Sequence, residues 1–268
     1  MATKFGINKD MIKNWEDRSI VLKGNNEVAV ILIHGWSAFP RQMLDLGRRL
    51  NEEGYWIYIP LLSGHGCRPE SLEKVIMDDW VNDVEKVLAK IKDNSAVKKV
   101  FIGGNSMGGS LAILGSLKDN FSGLILLGTP VHIKRHFLVW FLSNLLSPFG
   151  IYLKKTYPKN IKDDYPGSNS YQYFPVKSVS QCLAVIKKAA FSLGKVNTPT
   201  LILQTNSDYM VTKYSPWIIY NMVKSKIKKL HWIQSKFDNH SMAGDEIVEA
   251  SLVIKRFIFE VLNREKQK

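Results

Sequence analysis

A serine flanked by glycines is the first residue of this sequence that could carry out covalent chemistry. The motif GNSMG occupies positions 104–108, directly after the apolar run Val100–Ile102 and directly before the helix-like run Leu111–Leu117. A G-x-S-x-G motif at such a strand-to-helix turn exposes the serine hydroxyl at the edge of a parallel sheet. Glycines on both sides relieve the crowding of a tight turn. The sequence therefore predicts that Ser106 is the nucleophile of an acyl-transfer reaction.

A serine hydroxyl needs a general base, and the base needs an orienting carboxylate. His240 lies in a polar stretch between the last predicted strand and the last helix, which places it at the same sheet edge as Ser106. Asp208 follows the preceding apolar strand at that edge, and Asp238 is the alternative acid. The order Ser106, Asp208, His240 is the order of triad residues in α/β-hydrolases. We therefore predict His240 as the base and Asp208 as its partner.

Acyl transfer also requires hydrogen-bond donors for the tetrahedral oxyanion. The turn after Ser106 supplies the backbone N–H of Met107. A second donor is expected from the loop after an earlier strand, and Trp36, which follows the strand Val28–Ile33, occupies that place. His34, two residues before Trp36, is interpreted as a structural histidine that braces this loop.

Short apolar runs alternate with helical patterns along the chain, and the strands are continuously apolar, which is typical of a mostly parallel α/β sheet flanked by helices. The predicted strands are Val28–Ile33, Trp56–Ile59, Val100–Ile102, Leu124–Leu127, Thr200–Gln204 and Lys229–Ile233. The predicted helices include Asp78–Ile91, Pro216–Lys224 and Asp245–Leu262. The segment 131–196 interrupts this alternation. The sequence thus predicts a core of residues 1–130 and 197–268 with a small cap, 131–196, inserted after a central strand.

Composition limits the possible classes of protein. The 268 residues, 45% hydrophobic and 23% charged, are ordinary for a globular protein. The longest apolar runs fall far short of the roughly 20 residues that span a bilayer, no signal peptide is recognised, and two cysteines suit free thiols in a cytoplasmic protein. The net charge of +13 raises nucleic-acid binding as a hypothesis, but no nucleic-acid-binding motif accompanies it. We expect no nucleic-acid partner and a cytoplasmic location.

The predicted cap is both basic and aromatic. Phe137, Trp140 and Phe141 lie in a dense apolar stretch and are predicted to line the acyl pocket. A helix that is apolar nearly all round must bury itself against the cleft, a partner or an interface. Flanking lysines favour an anionic lipid or micelle surface. Two alternatives stay open: a cap that packs only on the body, and a cap that also makes peripheral contact with lipid.

Several sequence pieces together carry a family resemblance: LIHGWS, YIPLLSGHG, DDWVNDV, GGNSMGG, LGTPVHIK, TNSDYMV and DNHSM. They resemble the bacterial carboxylesterase and monoacylglycerol lipase family of the α/β-hydrolase superfamily. The resemblance implies that fold, ester hydrolysis, the triad Ser106, Asp208 and His240, and oxyanion donors at Trp36 and Met107. Trp36 stands where the family usually has phenylalanine, and Asn105 and Asn239 replace the usual leucine and glycine.

The function predicted from these observations is a serine carboxylic-ester hydrolase acting on short- to medium-chain acyl esters or monoacylglycerols through an acyl-enzyme. No cofactor and no metal are expected, because no cluster has metal-ligand spacing. An acyltransferase or peptidase could use the same triad, and a non-catalytic binding protein could use the same fold. The acyl group, the alcohol and the oligomeric state stay open at this point.

Overall fold

The main sheet contains seven strands in the order β1-β3-β2-β4-β5-β8-β9. The structure is a computed structural model that describes residues 18–133, 136–159 and 170–267. All neighbouring pairs are parallel except β1 and β3. The strands are β1 (Ile20–Leu22), β2 (Val28–Ile33), β3 (Trp56–Ile59), β4 (Lys99–Asn105), β5 (Gly123–Leu127), β8 (Thr200–Thr205) and β9 (Lys228–Ile233). The predicted α/β class with a mostly parallel sheet is confirmed.

Helices cover both faces of this sheet. They are α1 (Leu44–Asn51), α2 (Met77–Lys92), α3 (Met107–Ser116), α4 (His136–Leu146), α5 (Val176–Ser192), α6 (Tyr214–Met222) and α7 (Asp245–Lys266). Strands β2, β4, β5 and β8 are buried over all or most of their length, so their side chains supply both cores. One core packs under α2, α3, α5 and α6, and the other under α1 and α7. The sheet is therefore a rigid platform whose carboxyl edge presents the loops that carry the candidate site.

Two elements of this layer were not expected from the sequence. The antiparallel edge strand β1 has only three residues, too few for a periodic signal. A short 3-10 turn, Pro40–Met43, comes directly before α1, which is α-helical from Leu44. Both differences lie at the sheet margin and leave the platform unchanged.

The described residues of the predicted cap segment, 131–196, include two α-helices and a hairpin. These are the apolar helix α4, an antiparallel hairpin of β6 (Tyr152–Lys154) and β7 (Tyr173–Pro175), and the long helix α5. Helix α5 packs beside α3, and its buried side chains belong to the core on that face of the sheet. The division of the chain into a core and a cap at 131–196 stays a prediction. Within the described ranges, no helix has the length and apolarity needed to cross a membrane.

Candidate active site

Ser106 occupies a strained turn between β4 and α3. Its φ of 55° and ψ of −121° are rare for a residue with a side chain. The turn has no room for side chains beside it: a Cβ on Gly104 would lie 2.5 Å from the backbone of Gly108, and one on Gly108 would lie 2.1 Å from the Ile33 carbonyl oxygen. The two glycines of the motif are thus required sterically, and they let the turn hold Ser106 at the sheet edge.

The three predicted catalytic side chains meet in one hydrogen-bonded line. His240 Nε2 lies 2.8 Å from Ser106 Oγ, and His240 Nδ1 lies 2.9 Å from Asp208 Oδ2. A carboxylate only accepts hydrogen bonds, so Nδ1 carries the imidazole proton and donates it to Asp208. The Nε2 lone pair then faces the serine hydroxyl, which is the geometry that a general base requires.

Asp208 is held by its surroundings as well as by the histidine. Its Oδ1 accepts the backbone N–H groups of Met210 and Val211 at 2.8 and 2.9 Å, and its Oδ2 also accepts Gln204 Nε2 at 2.9 Å. The side chain is almost fully buried. These donors fix the carboxylate so that Oδ2 points at the imidazole. The contact with His240 is made by Asp208, whereas Asp238 lies earlier in the histidine loop.

The two predicted oxyanion donors are backbone amides near Ser106. Met107 begins α3, where the first amides of a helix have no acceptor within the helix. Trp36 lies between two amides that are engaged: Gly35 N donates to Gln42 Oε1 at 2.8 Å, and Ser37 N donates to His65 Nε2 at 2.9 Å. In the described part of the chain, neither the Met107 amide nor the Trp36 amide donates a hydrogen bond. Their role as oxyanion donors stays a prediction.

A polar network that the sequence did not predict connects these loops. Ser241 Oγ accepts hydrogen bonds from Asn105 Nδ2 and from Gln42 Nε2, each at 3.0 Å. The network therefore connects the end of β4, the predicted oxyanion loop and the loop that carries His240. Asn105 stands where related sequences usually have leucine, and its hydrogen bond to Ser241 gives that difference a structural reason.

Two buried histidines, His34 and His65, contact the predicted oxyanion loop. His34 Nδ1 donates to the Gly35 carbonyl at 2.9 Å, and its ring lies 4.9 Å from that of His65 in a T-shaped contact. His65 Nδ1 donates to the Ser63 carbonyl at 3.0 Å, which leaves Nε2 free to accept the N–H of Ser37. Ser37 has a φ of 57°, so this hydrogen bond helps to hold a strained residue directly after Trp36.

Because these two imidazoles are buried, we predict that the protein loses stability in mild acid. Burial lowers the pKa of His34 to about 4, and burial together with the neighbouring His34 lowers the pKa of His65 well below its usual value. The unfolded chain takes up a proton near pH 6.5 and the folded chain only near pH 4, so unfolding becomes more favourable as the pH falls through that window. Between pH 7.5 and pH 5, His34 alone is expected to lower the free energy of unfolding by about 2 kcal/mol.

Urea denaturation at the two pH values measures this loss. His231→Gln is the matched control, because His231 is partly exposed on β9 and bonded to Glu249, so its removal should leave the acid sensitivity in place. An equal free energy of unfolding at pH 7.5 and pH 5 would contradict the argument.

The predicted pocket residues lie on α4, and much of their surface faces solvent. Phe137 is 74% exposed, Trp140 48% and Phe141 47%. The helix packs on the body through Val139 and the buried Ser143 instead. A place for the three aromatic residues in the acyl pocket stays a prediction. In the described ranges, no group of three histidine, cysteine, aspartate or glutamate side chains could hold a metal ion.

Comparison with known proteins finds a matching family model and related sequences. The family model described as "Serine aminopeptidase, S33" matches residues 24–245. A carboxylesterase of Bacillus subtilis (strain 168) is 26% identical over 219 residues, which cover 81% of this chain and 86% of that protein. A thermostable monoacylglycerol lipase of Bacillus sp. (strain H-257) is 26% identical over 235 residues, 85% of this chain and 90% of that protein.

A solved structure shows the same fold. The monoacylglycerol lipase of Paleococcus ferrophilus superposes with a TM-score of 0.74 at 16% identity, covering 91% of this chain and 98% of that one. At this identity the likeness concerns the fold alone.

Proposed function

The chain belongs to the serine aminopeptidase S33 family of α/β-hydrolases and is a serine hydrolase of the carboxylesterase and monoacylglycerol lipase type, and from this we propose that it hydrolyses short- to medium-chain acyl esters or monoacylglycerols. The proposal goes beyond family membership in naming the substrate class and the residues that act. It is supported above all by the unbroken hydrogen-bond line from Asp208 through His240 to Ser106.

The proposed reaction has two halves. His240 Nε2 takes the proton of Ser106 as Oγ attacks the ester carbonyl, and the amides of Met107 and Trp36 stabilise the oxyanion. The imidazolium, stabilised by Asp208, then gives its proton to the leaving alcohol, and an acyl-enzyme forms on Ser106. In the second half, water gives a proton to the same nitrogen and attacks the acyl carbonyl, which releases the carboxylic acid and restores the serine.

Covalent labelling tests the proposal directly. A fluorophosphonate should modify Ser106, as located by peptide mass spectrometry, and p-nitrophenyl esters from acetate to palmitate should be hydrolysed with an optimum that defines the acyl pocket. Amino-acid p-nitroanilides test the peptidase alternative, and alcohol acceptors test the acyltransferase alternative. A folded protein that is neither labelled nor active on any ester would favour a non-catalytic binding function.

The exposed face of α4 extends the proposal to lipid. Seven large apolar side chains on and after this helix face solvent: Phe137, Leu138, Trp140, Phe141, Leu142, Leu145 and Phe149. A contiguous apolar surface of this kind marks an interaction site, and a lipid or micelle surface is also where a monoacylglycerol would be found. Four cations flank the apolar stretch in the sequence: Lys134, Arg135, Lys154 and Lys155. Lys154 on the neighbouring hairpin is exposed and favours an anionic surface, Lys155 is only partly exposed, and the other two lie outside the described residues. A cytoplasmic location remains part of the proposal.

Replacing Trp140 with alanine should change chain-length preference more than activity on acetate esters, because a short acyl group does not reach α4. The same change should weaken binding to vesicles of anionic phospholipid, and the binding of the wild type should weaken as salt is added. Vesicle sedimentation and p-nitrophenyl ester profiles measure the two effects.

Phe191→Ala is the control for this pair of measurements. Phe191 is also an exposed aromatic residue, 77% accessible, but it lies at the end of α5. A Trp140→Ala protein with unchanged chain preference and unchanged vesicle binding would mean that α4 serves neither the pocket nor lipid. A shift in chain preference alone would favour a cap that contacts substrate and packs without lipid.

A further inference from the structure

The hairpin β6–β7 lies against the proposed oxyanion loop. Its register pairs Leu153 with Phe174, and the backbone N–H of Lys155 donates to the Gln172 carbonyl at 2.8 Å, which continues the pairing by two residues. Paired residues of an antiparallel ladder share a face. The ring of Phe174 lies 4.8 Å from that of Trp36 in a T-shaped contact. The face that carries Phe174 and Lys155 is therefore the one turned toward Trp36.

The amine of Lys155 has no counter-ion among the described residues on this face. In the described part of the chain, its amine forms no ion pair and no hydrogen bond, although most of its surroundings are protein. Burial lowers the pKa of Lys155 to about 7. Glu73 is engaged on the opposite face of the hairpin, where it accepts the hydroxyl of Tyr152. A desolvated ammonium group without a partner is unfavourable, and a bound anion would relieve that cost.

Two further observations concern Lys155 and the proposed oxyanion loop, which the shared face of the hairpin brings together. After burial and the charge of His34, the charge of Lys155 also contributes to the lowered pKa of His65, so the amine lies within electrostatic range of the ring that holds Ser37. The indole Nε1–H of Trp36 is buried and has no hydrogen-bond partner in the described residues. The indole N–H is thus a second, buried donor of this loop that the proposed reaction does not use, since only the Trp36 backbone amide takes part in it.

We infer that Lys155 and the Trp36 indole N–H form a subsite for an anionic group of the substrate, a carboxylate or a phosphate attached to the acyl or the alcohol part of the ester. This inference rests on the proposed ester hydrolysis and makes it more specific. The ammonium group provides the positive charge, and the indole N–H provides a directional hydrogen bond. An indole N–H can only donate, so it suits an anionic acceptor. The enzyme would then prefer esters with an anionic group near the scissile carbonyl over neutral esters of the same length.

Matched pairs of esters test the subsite. The acyl arm compares the 4-nitrophenyl monoester of glutaric acid with 4-nitrophenyl valerate, and the alcohol arm compares butanoylglycerol 3-phosphate with monobutanoylglycerol. The quantity measured is the ratio of kcat/KM for the anionic ester to that for the neutral ester. The wild type should favour the anionic member in one arm, which identifies the side that carries the anion. Lys155→Met should lower that ratio about 10- to 100-fold, the usual effect of losing a charged hydrogen bond.

Three variants separate recognition from general damage. Lys155→Arg should restore most of the ratio, because it keeps the charge and the donors. Trp36→Phe should lower the ratio severalfold, because it removes the indole N–H and keeps the backbone amide. Lys159→Met, an exposed lysine four residues along the same segment, should leave the ratio unchanged. A Lys155→Met variant that slows both members of each pair equally would overturn the inference, and so would a wild type without anionic preference in either arm.

Failure of the proposed function would look different. If the protein is not an ester hydrolase, the neutral esters will not be hydrolysed either, with lysine or with methionine at position 155. Binding of glutarate and of glycerol 3-phosphate to the Ser106→Ala protein, measured by calorimetry, reports the subsite without catalysis on the acyl side and on the alcohol side. Binding of either anion that disappears when Lys155→Met is added supports the subsite, and it is overturned if neither anion binds or if the binding is insensitive to Lys155→Met.

Discussion

The Ser106→Ala protein is expected to hydrolyse esters roughly 10⁴- to 10⁶-fold more slowly than the wild type while keeping its fold. Without Oγ there is no acyl-enzyme, and His240 can at best activate water. The fold should survive because the backbone at Ser106 is held by the N–H donated to the Leu127 carbonyl and by the fit of Gly104 and Gly108, none of which involves the hydroxyl. The measurement is kcat for a p-nitrophenyl ester of preferred length, with circular dichroism and thermal unfolding on the same samples.

Ser116→Ala is the matched control for this experiment. Ser116 lies at the other end of the same helix, and its hydroxyl is bonded to the Ile113 carbonyl, so its loss removes a serine from α3 without touching the site. We expect near wild-type kcat for this control. If the Ser106→Ala protein kept more than a few per cent of the activity, the nucleophile would have to be another residue, and the proposed mechanism would be wrong.

Much of the platform under this site can be read from the sequence. Val28–Ile33 and Trp56–Ile59 are predicted with the bounds that the structure shows, because continuously apolar β-branched runs bounded by turn residues are specific for buried parallel strands. The turn at Ser106 can be predicted as well, because the turn requires glycine at two positions for steric reasons and the sequence has glycine at both. The local sequence determines where these elements begin and end, and the parallel sheet then brings the carboxyl ends of its strands together.

What the sequence does not predict depends on contacts between distant segments. Gln42 and Ser241 are 199 positions apart, and nothing in either local sequence indicates that they share a hydrogen bond. Helix α4 presents a related difficulty, because an almost wholly apolar helix has no polar face to define its orientation. Only the packed structure shows that Val139 and Ser143 face the body and that Phe137 faces solvent.

The second large effect is expected at Asp208. Its Oδ1 accepts two backbone N–H groups, so an asparagine at this position would keep its carbonyl oxygen there and turn its NH₂ toward Gln204 and His240. An NH₂ group cannot accept the Nδ1 proton of His240. The imidazole would therefore move its proton to Nε2, where it faces Ser106 and can no longer act as a base. We expect Asp208→Asn to lower kcat by about 10⁴-fold, the effect typical of a wrong tautomer.

Asp238→Asn is the control, because it removes the same charge two residues before His240 in the same loop. It should change kcat by no more than a few fold, since the hydrogen bond to His240 Nδ1 comes from Asp208. Thermal unfolding of both variants separates catalysis from stability, because Asp208→Asn also brings two donors together beside Gln204 and should lower the melting temperature. If Asp238→Asn were the more damaging of the two substitutions, Asp238 would be the residue that orients the imidazole in solution, and the line from Asp208 through His240 to Ser106 would not be the working arrangement.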